Sequence, residues 1–327
     1  MPPPPNPAPV PAPASALPEE LLEEVFLRLP GDEPEHLVRA SLASKFWLGL
    51  LSGARFRARY VDLHGAPPML GFLFSWRSNS GQEVEDNVPH FVPTTKFRAR
   101  IPDDDWGGRD YAAWDCRHGR VLLGDANYPP MTFVVWDPMT GCRKELESPD
   151  LPDDSYGAAV LCAVSGYDHR ACHAGPFQVV FVGLEKEVGQ CVARACLSLP
   201  VTADWSKPCS DSHFDKWSEP CSDLHLELDT FMVDMSPILM EEALHFKLAY
   251  DDDHRLGILK YDLSSHCLSL IDAPLVGFEK FDTAILVAMK NGSLGFAHVD
   301  KLTLHLWSRH KRLGWSCVME SAYSHRS

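Results

Sequence analysis

Apolar positions between residues 17 and 60 recur at helical spacing, whereas from residue 61 onward they come in short runs broken by Gly, Pro, Asp and Asn. The first segment opens with Pro18, suited to a first helical position, and Glu19 and Glu20, whose charge complements the free N–H groups of a first turn. Leu21, Leu22, Val25, Phe26 and Leu29 follow at i, i+1, i+4, i+5 and i+8, one apolar stripe on a helix. After Pro30 and Gly31, Pro34 opens a second predicted helix carrying Leu37, Val38, Ala40, Leu42 and Ala43, and a third lies around Phe46, Trp47, Leu48 and Leu51. Three short helices bury about 60% or less of their unfolded surface, so the stripe gains by being covered by a partner protein. Five large side chains at ~1.5 to 3 kcal/mol each bound the gross gain at about 8 to 15 kcal/mol, before the cost of association.

The remainder reads as strands and turns. The clearest hairpin joins Ala284–Lys290 to Ser293–Val299 through Asn291 and Gly292, a pair suited to positive φ. Two further hairpins share one form: an apolar strand ending in an aromatic, then Asp, a polar turn and a second strand closing on Pro. Trp136-Asp137 with Pro149 and Tyr261-Asp262 with Pro274 mark them. Weaker relatives are Ala195–Leu199 ahead of Asp204-Trp205, and Leu304–Trp307 ahead of Gly314-Trp315. The marked positions 137, 204, 262 and 307 lie 67, 58 and 45 residues apart, an irregular repeat of small antiparallel sheets. Residues 61–327 thereby predict a β-propeller of about five or six blades, with an irregular β-sandwich as the alternative. Residues 1–16 hold eight prolines and no charge, which suits an extended arm, with PxxP spacing at Pro2 and Pro5 and at Pro4 and Pro7.

Charge narrows the function. Net charge is -15, and residues 17–60, with six basic and seven acidic side chains, contribute only one unit of it. An acidic large domain argues against direct nucleic-acid binding. No apolar run reaches the ~18 residues of a membrane helix, and the N-terminus lacks a signal peptide's basic start and apolar centre. A cytoplasmic or nuclear protein is therefore expected, with its ten scattered cysteines reduced. The acidic runs Asp103–Asp105 and Asp251–Asp253 lack EF-hand spacing and read as solvated turns.

Candidate chemistry is sparse. A near duplication, WSKPCSDSHFDK followed by WSEPCSDLHLEL, places Cys209 and His213, then Cys221 and His225, at equal spacing. Two thiolates and two imidazoles make a tetrahedral zinc set, although tandem copying of an inserted loop produces the same pattern. Asp168, His169, Cys172 and His173 form a second polar cluster, read as a connecting loop rather than a nucleophile with its base. No GxSxG, GxxxxGK or HExxH motif occurs, and no cofactor is expected.

Residues 17–60 resemble the F-box: Leu17, Pro18, Leu21, Leu22, Glu24, Val25, Phe26, Arg28, Leu29 and Pro30 follow its opening pattern, and Leu37, Val38, Arg39, Lys45, Trp47 and Phe56 its second half. Ser44 stands where the family usually has cysteine. Val134–Gly141, Gly257–Leu263 and Leu304–Trp307 further resemble modules of F-box-associated propeller domains in plant, especially grass, F-box proteins. Chains of that kind run further past the tryptophan module, implying a missing or unclosed last blade. The resemblance implies an α+β multidomain chain: a Pro-rich arm (1–16), a three-helix F-box (17–60) and an all-β, propeller-like substrate-recognition domain (61–327). It implies a non-catalytic substrate receptor of a Skp-cullin-F-box ubiquitin ligase, bound to a Skp-type adaptor and through it to cullin. Leu17, Pro18, Leu21, Leu22, Val25, Phe26 and Leu29 are the expected adaptor contacts, with Val38 and Trp47 holding the helices together and contributing in part. An F-box scaffold that directs no degradation is the alternative, and a propeller enzyme a third reading.

Overall fold

A computed structural model describes residues 17–65, 69–74, 90–99, 111–125, 131–149, 155–163, 176–200, 217–219, 221, 223–233, 236–251, 255–274, 284–300, 303–310 and 314–322. The chain divides into two compact units, one comprising residues up to 72 with 91–98, the other 73–90 with 99–327.

The first unit holds four short helices: α1 (Glu19–Leu27), α2 (Glu35–Ala43), α3 (Lys45–Ser52) and α4 (Ala54–His64). Pro18 adopts an extended conformation before α1, and its carbonyl accepts from the N–H groups of Leu21 and Leu22. Ser44 caps α3, its hydroxyl accepting from the Phe46 N–H at 3.2 Å. Gly53 breaks the chain between α3 and α4, and Gly65, at φ 75°, ends α4 in the left-handed conformation that a glycine adopts cheaply. Phe26, Leu27, Leu51 and Phe56 form the buried core, with Leu22, Leu29, Leu37, Ala40, Trp47, Leu50 and Tyr60 packed around it.

The second unit is built from antiparallel meanders. Apart from these, strands β1 (Gly71–Phe74) and β2 (His90–Pro93), whose residues are divided between the two units, pair as a two-stranded sheet. Sheet I comprises β3 (Tyr111–Arg117), β4 (Arg120–Asp125), β5 (Thr132–Trp136) and β6 (Arg143–Glu147), paired in chain order. Sheet II comprises β7 (Ser155–Cys162), β8 (Phe177–Glu187), β9 (Gln190–Leu197) and β10 (Leu224–Leu226). Sheet III runs β11 (Thr230–Met232), β13 (Ala243–Tyr250), β14 (Leu256–Asp262) and β15 (Cys267–Asp272), with β12 (Ile238–Met240) also pairing with β13. Sheet IV comprises β16 (Ala284–Ala288), β17 (Leu294–Asp300), β18 (Thr303–His310) and β19 (Gly314–Ala322).

Strand periodicity explains how these sheets stack. In β8, Val179 and Phe181 join Trp114, Leu122 and Phe133 of sheet I, while Val180 and Val182, one residue out of phase, join Leu244, Phe246 and Leu248 of sheet III. Sheet III repeats this: Leu259 and Tyr261 face sheet II, whereas Leu256 and Ile258 meet Ala284, Leu294 and Phe296 of sheet IV. Gly157 allows the close approach of sheets II and III, since a Cβ there would lie 2.5 Å from Met232 Sδ. Two tryptophans tie neighbours further: Trp217 Nε1 donates to the Glu147 carbonyl at 2.9 Å and Trp315 Nε1 to the Asp272 carbonyl at 2.7 Å.

The marked aromatic-Asp pairs close the third strands of their sheets. Asp137 Oδ1 accepts from the Met139 N–H at 2.8 Å, and Asp262 Oδ1 from those of Ser264 and Ser265 at 3.2 and 3.1 Å. The Asn291-Gly292 hairpin is present, but only Gly292 takes positive φ, while Asn291 Oδ1 accepts from Ser293.

The expected α+β class, a three-helix unit followed by a propeller-like domain, is corrected. The described chain is mostly β, with four helices confined to Glu19–His64 and five small antiparallel sheets. The missed helix is α4, whose arginine-rich sequence buries only Phe56 and so carries little hydrophobic signal. Shared apolar clusters link sheets I to II, II to III and III to IV, and among the described residues none links IV back to I. No helix among the described residues is long and apolar enough to cross a membrane.

Candidate functional site

Helix α1 divides its apolar residues between two sides. Phe26 and Leu27 are buried, and Phe26 meets the Trp47 ring edge-on at 5.3 Å between centroids. Leu17, Leu21 and Val25, spaced four apart, are 55%, 53% and 50% exposed. Pro18 is exposed beside them, while Leu22 and Leu29 are half-buried against the core. Val38 and Trp47 are half-buried on α2 and α3. Leu42, Phe46 and Leu48 are further exposed apolar residues of this unit.

Polar contacts hold α1 against α4. Glu23 is buried and accepts from Arg59 Nη1 at 2.6 Å, while Arg59 Nη2 reaches Glu24 at 3.3 Å. The hydrogen bond that Arg59 donates to Glu23 raises the guanidinium pKa, keeping the cation charged. Tyr60 donates its hydroxyl to the Leu29 carbonyl at 3.0 Å, and the His64 ring, tilted against that of Tyr60, lies 2.8 Å from the Leu27 carbonyl. These contacts satisfy carbonyls at the end of α1, where a helix lacks internal partners. A reading based on apolar spacing had no means to find them, because they join residues 31 to 37 positions apart.

The other sequence candidates separate differently. Cys221 is half-buried, its backbone N–H donating to the Ala195 carbonyl, and His225 is exposed on β10 opposite Val192. Cys209 and His213 lie outside the described residues, as do Asp168, His169, Cys172, His173, Asp103–Asp105 and the Pro-rich arm. Among the described residues no group of three or more His, Cys, Asp or Glu side chains converges as a metal site would require.

No protein-family model and no curated protein matches this chain. Among solved structures it is similar to Zg3597, a family 117 glycoside hydrolase produced by the marine bacterium Zobellia galactanivorans, with 10% identity and a TM-score of 0.31 over 70% of this chain and 75% of that one. A likeness that weak carries no argument about fold or activity.

Proposed function

We propose that this chain is the substrate-receptor subunit of a Skp-cullin-F-box ubiquitin ligase, its helical unit docking a Skp-type adaptor and its sheets presenting a surface to a target protein. The observation that carries the reading is the row Leu17, Leu21 and Val25, half or more exposed along one side of a helix whose other side builds the core. Covering the exposed half of three such side chains contributes roughly 2 to 5 kcal/mol gross, less than the cost of association alone. Docking therefore extends beyond the row, and Leu42, Phe46 and Leu48 supply comparable further area. The receptor does no bond chemistry; holding the target near a ubiquitin-charged enzyme raises effective concentration.

The test is co-purification of the full chain with a Skp-type adaptor. Leu21→Asp with Val25→Asp places two charges on the exposed row and is expected to abolish recovery of adaptor while leaving the fold cooperative. Undiminished recovery would refute the docking face. Target half-life then separates a ligase receptor from a scaffold, which leaves turnover unchanged.

A further inference from the structure

A cavity of about 510 Å³ opens where sheet III faces the first turn of sheet IV. That volume lies within the range of roughly 300 to 1,000 Å³ typical of small-ligand sites. Its lining is polar and carries more positive than negative charge, in a chain of net charge -15. Lys260 comes from β14 and Arg309 from β18, and Glu241, at the turn before β13, is the one carboxylate among the described lining residues.

The state of these groups distinguishes a site from a gap in packing. Lys260 Nζ already donates to Asp262 Oδ2 at 3.0 Å, which uses one of its three N–H groups. Arg309 is half-buried, and its side chain makes no ion pair or hydrogen bond among the described residues. A guanidinium held in a concave, partly desolvated place without an ion pair is an unmet demand for an anion, and its planar fork suits two oxygens of one group. Asn291 spends its carbonyl oxygen on Ser293, which leaves its amide N–H groups as donors at the rim. His245 forms part of the wall; burial first, and then the cations Lys260 and Arg309, hold its pKa below the ordinary histidine value. The ring is thus neutral near pH 7, and the same two cations that disfavour its proton favour a negative guest.

We propose that this cavity binds a phosphoryl group, with Arg309 taking two of its oxygens and Lys260 supplying the second positive charge. A bare phosphate ion fills a small part of such a volume, so the favoured guest is a phosphomonoester whose organic body occupies the rest. This goes beyond the adaptor reading and does not depend on it, because every lining residue belongs to the sheet unit.

The experiment is thermal unfolding of the full chain with O-phosphoserine, inorganic phosphate or serine added. A guest that binds only the folded state raises the midpoint. O-phosphoserine is expected to raise it and serine is not; an equal rise with inorganic phosphate identifies the free ion as the guest. Arg309→Gln should weaken binding by roughly tenfold or more, the scale of a lost charge-assisted bond. Arg309→Lys, which keeps the charge without the fork, should fall between, and Glu241→Gln should tighten binding by removing the opposing charge. Phosphate also stabilises proteins generally by exclusion from their surfaces, an effect that Arg309→Gln shares with the parent. A rise that persists unchanged in both Arg309 variants, or an equal rise with serine, overturns the site. So does Glu241→Gln weakening the response.

Discussion

The helical unit and the sheet unit handle apolar side chains in opposite ways. In sheets II and III consecutive residues of one strand feed two different clusters, so Val179 and Val180, or Ile258 and Leu259, are both fully buried on opposite faces. Within the four helices only Phe26, Leu27, Leu51 and Phe56 are buried apolar residues, while Leu17, Leu21, Val25, Leu42, Phe46 and Leu48 lie open. Layered sheets cover both faces with their own neighbours; a four-helix piece of this length runs out of chain before its stripes are covered. Buried apolar packing is thus concentrated in the sheet unit, whose exposed apolar residues include Leu270, Ile285, Val299 and Val318, on the outer strands of sheets III and IV or beside them, whereas the helices leave a larger share of their apolar residues open.

Truncation of Phe246 tests that contrast most severely. Its ring is fully buried on β13 between sheets II and III, and a Cβ at Gly157 would lie 2.9 Å from it. Phe246→Ala is expected to cost about 3 to 5 kcal/mol in denaturant unfolding, through lost burial and the cavity left behind. Were the loss below about 1 kcal/mol, the sheets would not be packed as closely as native cores are.

A smaller effect is expected at alkaline pH. The Tyr261 phenol is pushed up to about 12, first by burial and then by the nearby thiols of Cys221, Cys196 and Cys267, and its oxygen lies 2.9 Å from His266 Nδ1. An unfolded tyrosine releases its proton near pH 10 while the folded one retains it. Its stabilising contribution is therefore complete below about pH 10 and is lost as pH rises toward 12, by roughly 2 to 3 kcal/mol. The difference in unfolding free energy between the parent and Tyr261→Phe should shrink over that window. A difference that is flat with pH would place the phenol in contact with water, and the II–III layer would be less sealed than its apolar cluster indicates.

Much of this division was legible in the residues, and the reasons for the rest are physical. The spacing in α1 announces a helix, but it merges Leu21, Leu22, Val25, Phe26 and Leu29 into one stripe, whereas Phe26 is buried, Leu22 and Leu29 pack on the core, and Leu21 and Val25 lie exposed. Trp136-Asp137 and Tyr261-Asp262 announce strand ends because the aspartate must cap the turn that follows. Other turns carry no such sign: His118, Glu241 and Glu242 adopt positive φ without being glycine, Asn or Asp. Helix α4 was invisible because its role is polar, with Arg59 on Glu23 and Tyr60 on a carbonyl. Stacking order was hidden too, since Gly157 signals that something comes close without saying that it is Met232 and Phe246. The cavity near Arg309 is legible only in three dimensions, because strands from two sheets supply its cations.

The smallest expected effect is the most discriminating. Leu21 is 53% exposed and belongs to no buried cluster, so Leu21→Ala removes little that the isolated chain uses. The substitution also keeps helix propensity, alanine being the best helix former. Unfolding free energy should stay within about 0.5 kcal/mol of the parent, as exposed substitutions generally do. The same change should weaken adaptor recovery measurably, because the methyl groups it deletes are those the row offers to a partner. A loss of stability near the ~2 kcal/mol or more of a core leucine truncation would mean that α1 spends this side chain internally. The contrast between layered sheets that bury both strand faces and helices that leave a row open would then fail at that row.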